Sequence, residues 1–421
     1  MDITLSPTSY HGSVTVPPSK SAAHRAILAA AMAHGRSVIT NVDLSSDILA
    51  TVGACRSLGC GIEVSQSEHY HTLTVDGGLS LHDDAVIDCA ESGSTLRFFI
   101  PVACTLSGTK TFTGHGRLPY RPVDAYLQIF DDQHIGYSHP SDKNLPLTVS
   151  GLLHGGTYGI DGRVSSQYVT GLLYALPVLD TDSTVKVMGG FESRGYVDLT
   201  VDMLRRFGID IGVSGDDFAI KGSQRYAPQD LTVEGDYSQA AFFIVAGAIA
   251  GDVRIEGLDA HSLQPDSAII SIMRRMGADL TVEDDVLIVK QSDLRGTVID
   301  VSQCPDLVPP LAIAAAFAQG STRIMGAARL RIKECDRLHA LAVNLNTLGI
   351  KAEETDDELI IEGGVITGGI VDTFGDHRIA MAFAVAAARA SGSIHIPGAQ
   401  CIDKSYPNFY DDLKALGGKI E

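Results

Sequence analysis

Six times along the chain, a stretch with apolar residues at helical spacing ends on a large apolar residue and a glycine. A short strand of alternating polar and apolar positions then follows. The pairs are Leu58-Gly59, Ile135-Gly136, Phe207-Gly208, Met276-Gly277, Leu348-Gly349 and Leu416-Gly417, and their glycines stand 77, 72, 69, 72 and 68 residues apart. A glycine at that place predicts a left-handed helix cap, because it has no Cβ to penalise positive φ. Several of the six continue into strand, acidic turn and strand, as in Gly208-Ile209-Asp210-Ile211 through Asp216-Asp217 to Phe218-Ala219-Ile220, and again over 277–289 and 349–361. Such near-constant spacing predicts a repeated unit of about seventy residues, built from helices and a hairpin.

A unit of that size cannot hide an apolar helix face by itself, so several units must share a core. Six units divide naturally into two domains of three. The polar, turn-like Gln224 to Gln229 segment near the midpoint marks one crossing between them. The first fifteen residues read as a hairpin, Asp2 to Leu5 with Ser13 to Val16, with no helix of their own.

Composition narrows the class. With 421 residues, 45% hydrophobic and 20% charged, the chain is a globular α/β protein rather than a disordered or coiled-coil one. No apolar run reaches membrane-spanning length and the start, Met1-Asp2-Ile3-Thr4, is not a secretory leader, so a cytoplasmic location is expected. Seven scattered cysteines without a CxxC spacing read as reduced thiols, not as a disulfide framework or a zinc site. The net charge of −19 opposes nucleic acid and anionic membranes, and it repels anionic metabolites as well. Any anion site must therefore be local, which makes the placement of each Lys and Arg informative.

Five basic segments stand out. Pro17-Pro18-Ser19-Lys20-Ser21-Ala22-Ala23-His24-Arg25 leads into the Ala-rich helix predicted over 26–33, where Lys20, Ser21 and Arg25 join the amide groups of a helix start, a layout suited to phosphate or carboxylate. Arg329, Lys333 and Arg337 fall at i, i+4 and i+8 of a predicted helix, and stacked like charges call for a negative partner, either Glu334 and Asp336 or a bound anion. Gly375-Asp376-His377-Arg378 puts cations at the start of an apolar helix, against the dipole. Arg117-Leu118-Pro119-Tyr120-Arg121-Pro122 is a stiff loop with two guanidinium groups, and Lys404 sits in a turn before the last helix. Two polar helix starts, Glu91 to Arg97 around Gly93 and Ser165-Ser166-Gln167-Tyr168, permit close approach of a ligand. No phosphate-loop, dinucleotide or HExxH signature is present, so ATP, NAD and catalytic zinc are not suggested.

Taken in order, from PPSKSAAHR to CIDKSYPNF, these segments resemble the 5-enolpyruvylshikimate-3-phosphate synthase family of enolpyruvyl transferases over essentially the whole chain. The resemblance implies a two-domain inverse α/β barrel of six βαβαββ units, three per domain. It divides the chain into a discontinuous domain, 1–18 with 231–421, and an inserted domain, 19–230, with the active site in the cleft. It implies transfer of the enolpyruvyl group of phosphoenolpyruvate to the 5-hydroxyl of shikimate 3-phosphate with loss of phosphate, without metal or organic cofactor. Small molecules are the expected partners, with neither nucleic acid nor membrane, and nothing in the sequence demands more than a monomer.

By the same resemblance Lys20, Ser21, Arg25, Ser165, Ser166, Gln167, Ser193, Tyr196, Asp306 and Lys333 would hold shikimate 3-phosphate. Lys20, Gly93, Arg121, Gln167, Arg337, Arg378 and Lys404 would hold phosphoenolpyruvate. Lys20, Asp306 and Glu334 would be catalytic, Asp306 at the hydroxyl and Glu334 at the vinyl carbon, since one must lose a proton as the other gains one. Glu91 departs from the Asn common in the family, and a carboxylate there repels an anion unless a cation such as Arg97 pairs with it. Two other readings are transfer to UDP-N-acetylglucosamine, whose enzymes commonly carry a loop cysteine that the 117–122 segment lacks, and a non-catalytic anion- or nucleic-acid-binding protein, which the net charge opposes.

Overall fold

Two kinds of helix alternate along the chain. In the computed structural model, which describes residues 1–67, 69–80, 84–284 and 286–421, helices α1 (Lys20–Met32), α2 (Ser46–Ser57), α3 (Gly93–Ala103), α4 (Asp124–Gln133), α5 (Ser166–Ala175) and α6 (Arg194–Arg206) come first. They are followed by α7 (Tyr237–Ala250), α8 (Ala268–Arg275), α9 (Val308–Ala316), α10 (Arg337–Thr347), α11 (His377–Ala386) and α12 (Phe409–Ala415). Helices α7, α9 and α11 are buried at every position. Helix α1 is buried from Ala22 onward, α3 everywhere but Ser94, and α5 everywhere but Gln167. A helix apolar all round must be an inner one. Between them stand amphipathic helices such as α8, which buries only Ile269, Ile272 and Met273.

The chain divides into two compact units, one of Met1–Ser19 with Glu234–Glu421 and one of Lys20–Val233. Each has its own apolar core, filled largely by its three inner helices. Among the described residues the strands form six four-stranded sheets. In one, Thr157–Asp161 and Ser183–Met188 run parallel, and Asp217–Ile220 joins antiparallel and closes a hairpin with Ile211–Ser214. With α5 and α6 between its strands this is an unbroken βαβαββ unit. The sheets built on Thr109–Thr113 and Ser321–Met325 repeat it.

The other three sheets have the same order but borrow a strand from afar. Leu231–Thr232 lies parallel beside Arg36–Val42, and Tyr10–Thr15 parallel beside Gly251–Glu256. Ile3–Ser6 sits antiparallel between Ile394–Ile396 and Lys419–Ile420. The hairpin expected in the first fifteen residues therefore does not form. Its two strands enter different sheets: one fills the gap between Ile394–Ile396 and Lys419–Ile420, and the other the open edge beside Gly251–Glu256. Pro7 between them has no N–H for a ladder, and Thr8 N donates to Ala388 O at 3.0 Å instead.

Five of the six predicted cap glycines, Gly59, Gly208, Gly277, Gly349 and Gly417, are left-handed, with φ from 81° to 98°. At the remaining cap His134, φ 57°, takes the turn two residues early, and Gly136 begins a strand.

Candidate active site

In the discontinuous unit, six predicted site residues meet around the starts of α9, α10 and α11. Asp306 lies in a short 3-10 turn before α9, where the prolines at 309 and 310 occupy a first turn whose amides need no partner. Arg337 opens α10, and its guanidinium is the hub: Nε donates to Asp376 Oδ2 at 2.7 Å, Nη1 to Asp306 Oδ1 at 3.0 Å and Nη2 to Glu334 Oε2 at 2.8 Å. Lys333 Nζ lies 3.4 Å from Asp306 Oδ1, Arg378 Nη2 3.4 Å from Asp306 Oδ2, and Lys404 Nζ 3.8 Å from Glu334 Oε1. Four cations thus surround three carboxylates.

Burial would raise the pKa of Asp306, but Arg378, Lys333 and Arg337 outweigh it and hold the carboxyl well below its ordinary range. Burial dominates at Lys333 and pushes the ammonium down to about 8, against the opposing pull of Asp306. Arg337 is held above its ordinary value, since Asp376, Glu334 and Asp306 overcome its burial.

The continuous helix expected through Arg329, Lys333 and Arg337 is absent. A 3-10 helix covers Ala328–Ile332, Lys333 is extended at φ −85°, ψ −150°, and α10 begins at Arg337 with Asp336 as cap, accepting from His339 N at 3.1 Å. Arg331 helps explain the break: it reaches Asp336 at 2.7 Å and Glu354 at 3.0 Å, partners that an unbroken helix would not present together.

In the inserted unit, α1 begins at Lys20, earlier than the predicted start at Ala26. Lys20 and Arg25 face different neighbours. Lys20 Nζ meets Asp47 Oδ2 of α2 at 2.8 Å. Arg25, 3% exposed, donates from Nε to Thr200 Oγ1 at 2.9 Å, from Nη1 to Ser21 O at 2.7 Å and from Nη2 to Tyr196 O at 2.8 Å, and lies over the Phe98 ring. Burial brings its pKa down to about 10.

Gly93 begins α3 behind its cap Ser92. A Cβ built on Gly93 would stand 2.4 Å from Arg121 Nη1 and 2.8 Å from Cζ, so the missing side chain is what lets the guanidinium lie on the helix start. Glu91 faces His115 Nδ1 at 3.3 Å, while Arg97 turns to Gln167 Oε1 at 2.8 Å and Pro122 O at 3.1 Å. Gln167 Nε2 in turn donates to Ser94 Oγ at 2.9 Å, which joins the starts of α3 and α5. These are the two positions at which those inner helices are not buried. Ser165 caps α5, Ser166 follows it buried, and Ser193, left-handed at φ 54°, precedes α6 and Tyr196.

Residues 6–413 match the family described as EPSP synthase (3-phosphoshikimate 1-carboxyvinyltransferase). The chain belongs to the EPSP synthase family. A 3-phosphoshikimate 1-carboxyvinyltransferase of Clostridium novyi is 46% identical over all of this chain and 98% of its own length, and one of Clostridium kluyveri is also 46% identical over the same shares. The solved EPSP synthase structure from Acinetobacter baumannii superposes with a TM-score of 0.84 at 29% identity, over 100% of this chain and 99% of that one.

Within this EPSP synthase family chain, three residues that sequence reasoning passed over organise the predicted ones. Asp376 anchors Arg337, Asp47 takes Lys20, and Thr200 takes Arg25. Only Asp376 left a local signal, as an Asp just before an apolar helix. The other two partners lie 27 and 175 residues away in sequence.

Proposed function

We propose that this protein transfers the enolpyruvyl group of phosphoenolpyruvate to the 5-hydroxyl of shikimate 3-phosphate, releasing phosphate through a tetrahedral intermediate. The full-length match to relatives named for that activity carries the reading. The chemistry of the two clusters supports it.

In the discontinuous unit Asp306 serves the hydroxyl. Lys333, poised near pH 8 at 3.4 Å from it, can give or take a proton close to neutrality. Glu334, between Arg337 and Lys404, serves the vinyl carbon. Arg337, Arg378 and Lys404 offset the charge of the phosphoenolpyruvate carboxylate and the departing phosphate through positive charges already held in place. In the inserted unit Lys20 reaches both substrates, and Gly93 and Arg121 take phosphoenolpyruvate. Ser21, Arg25, Ser165, Ser166, Gln167, Ser193 and Tyr196 hold shikimate 3-phosphate, with Gln167 also touching phosphoenolpyruvate.

The test mixes purified protein with phosphoenolpyruvate and either shikimate 3-phosphate or UDP-N-acetylglucosamine and follows phosphate release without added metal. Release with shikimate 3-phosphate alone is expected. Release only with the nucleotide sugar, or with neither acceptor, overturns the reading.

A further inference from the structure

The contact between α1 and α2 is a ladder with two rungs. Lys20 and His24 stand one turn apart on α1, and Asp47 and Thr51 one turn apart on α2. The upper rung is the Lys20–Asp47 ion pair, and the lower joins His24 Nδ1 to Thr51 Oγ1 at 2.6 Å. The lower rung runs on into α3. Thr51 Oγ1 lies 2.7 Å from Thr95 Oγ1, and Thr95 donates its hydroxyl to Ser92 Oγ at 2.8 Å. That same Ser92 oxygen caps α3 by accepting from Thr95 N at 3.2 Å. All four side chains are sealed from solvent, none above 1% exposed.

A hydroxyl carries one hydrogen, and this orders every proton in the chain. Thr95 commits its hydrogen to Ser92, so the one between the two threonines belongs to Thr51. Thr51 then has none left for the imidazole, and the hydrogen on the lower rung must sit on Nδ1. His24 is neutral, since burial drives its pKa down to about 3. It is therefore the Nδ1–H tautomer, with Nε2 a bare acceptor, buried without a hydrogen-bond partner among the described residues. Donation runs one way, from His24 through Thr51 and Thr95 to Ser92, the residue before Gly93.

We infer that this one-way chain is a positioning device: His24, Thr51 and Thr95 hold the Ser92-Gly93 turn, and with it the guanidinium of Arg121, in register with the helix that carries Lys20. The role rests on the functional reading above, in which Gly93, Arg121 and Lys20 receive phosphoenolpyruvate. Packing alone would not need the hydroxyls, since valine fills the space of threonine. A directed hydrogen bond fixes both distance and angle, and the Arg121 guanidinium rests directly on Gly93, so a shift of the turn would move the surface that positions it.

Thr51→Val removes the link at nearly constant volume, and Thr51→Ser keeps it. The KM for phosphoenolpyruvate should rise about five- to tenfold in Thr51→Val, the scale of one lost directed hydrogen bond, and return in Thr51→Ser. The change in kcat should stay within about twofold, the split expected when ground-state binding is lost. A role confined to stability would lower the melting midpoint and leave KM alone. Nitrogen NMR of 15N-histidine protein, with the His24 signal assigned by its loss in His24→Gln, should show Nδ1 protonated and Nε2 bare. A folded Thr51→Val with unchanged KM overturns the inference, and so does an Nε2–H tautomer in the unaltered protein. If Thr51→Val does not fold, Thr95→Val reads the same link from its other side. An unaltered protein that releases no phosphate sinks the functional reading. One that does, with KM unmoved in the variant, sinks the positioning role alone.

Discussion

Arg337 donates Nε to Asp376 Oδ2 at 2.7 Å, and the two side chains are only 2% and 0% exposed. Asp376 also caps α11 by accepting from Arg378 N at 2.8 Å, so one carboxylate fixes two of the predicted anion-binding arginines. Removing it takes one of three carboxylate partners from a buried guanidinium and the cap from α11. Asp376→Ala should cost about 3–5 kcal/mol, as for other broken buried pairs, and show as a lower denaturant midpoint at unchanged slope.

Lys333 sets a pH limit. Its ammonium titrates near 8 in the folded protein against 10.5 as a free group. If the charged form binds substrate, kcat/KM should fall as pH rises through about 8, and Lys333→Arg should remove that inflection because guanidinium keeps its proton. Stability moves the other way. Between about 8 and 10.5 the unfolded chain holds the extra proton, so folding becomes more favourable with rising pH, by at most ~1.4 kcal/mol per pH unit.

His24 gives a slope of the same sign in acid. Its folded value near 3 lies below the ordinary 6.5, so below 6.5 the unfolded chain gains a proton that the folded one refuses. Stability should fall as pH drops through that window. His24→Gln should flatten the slope by up to about 1.4 kcal/mol per pH unit, measured by urea unfolding at stepped pH.

Gly93→Ala places a methyl where Arg121 Nη1 now lies, at 2.4 Å. The guanidinium must swing away, which the side chain can do without disturbing the core. The KM for phosphoenolpyruvate should rise on the order of 10–100-fold with little change in melting midpoint, since small misplacements of a binding group are costly.

What the sequence disclosed follows from the range of the forces involved. A left-handed glycine cap is local backbone physics, and Gly59, Gly208, Gly277, Gly349 and Gly417 were legible as such. The exception, at His134, arose because an αL residue need not be glycine. Two of the six inner helices, α1 and α11, and the basic residues at their starts were equally plain. The break at Lys333 was not, because it depends on Arg331 reaching Glu354 and on Lys333 reaching back to Asp306. Asp47 was hidden for the same reason: nothing in its own segment marks it as the partner of Lys20. Hydrogen-bonded chains such as His24 to Ser92 draw on three helices and have no linear pattern.

The borrowed strands impose an order of assembly. Among the described residues, 3–6 pair with 394–396 and 419–421, so this strand must wait until those distant segments have been made. The segment 20–233 waits for nothing, since its last strand, Leu231–Thr232, closes a sheet opened by Arg36–Val42 within the same stretch. The discontinuous unit, which pairs strands from both ends of the described chain, closes later than the inserted one. During that interval Ile3 and Leu5 are apolar surface with no sheet to join, whereas Tyr10 and Val14 wait only for Gly251–Glu256, and the growing chain is prone to aggregate while the first pair stays uncovered.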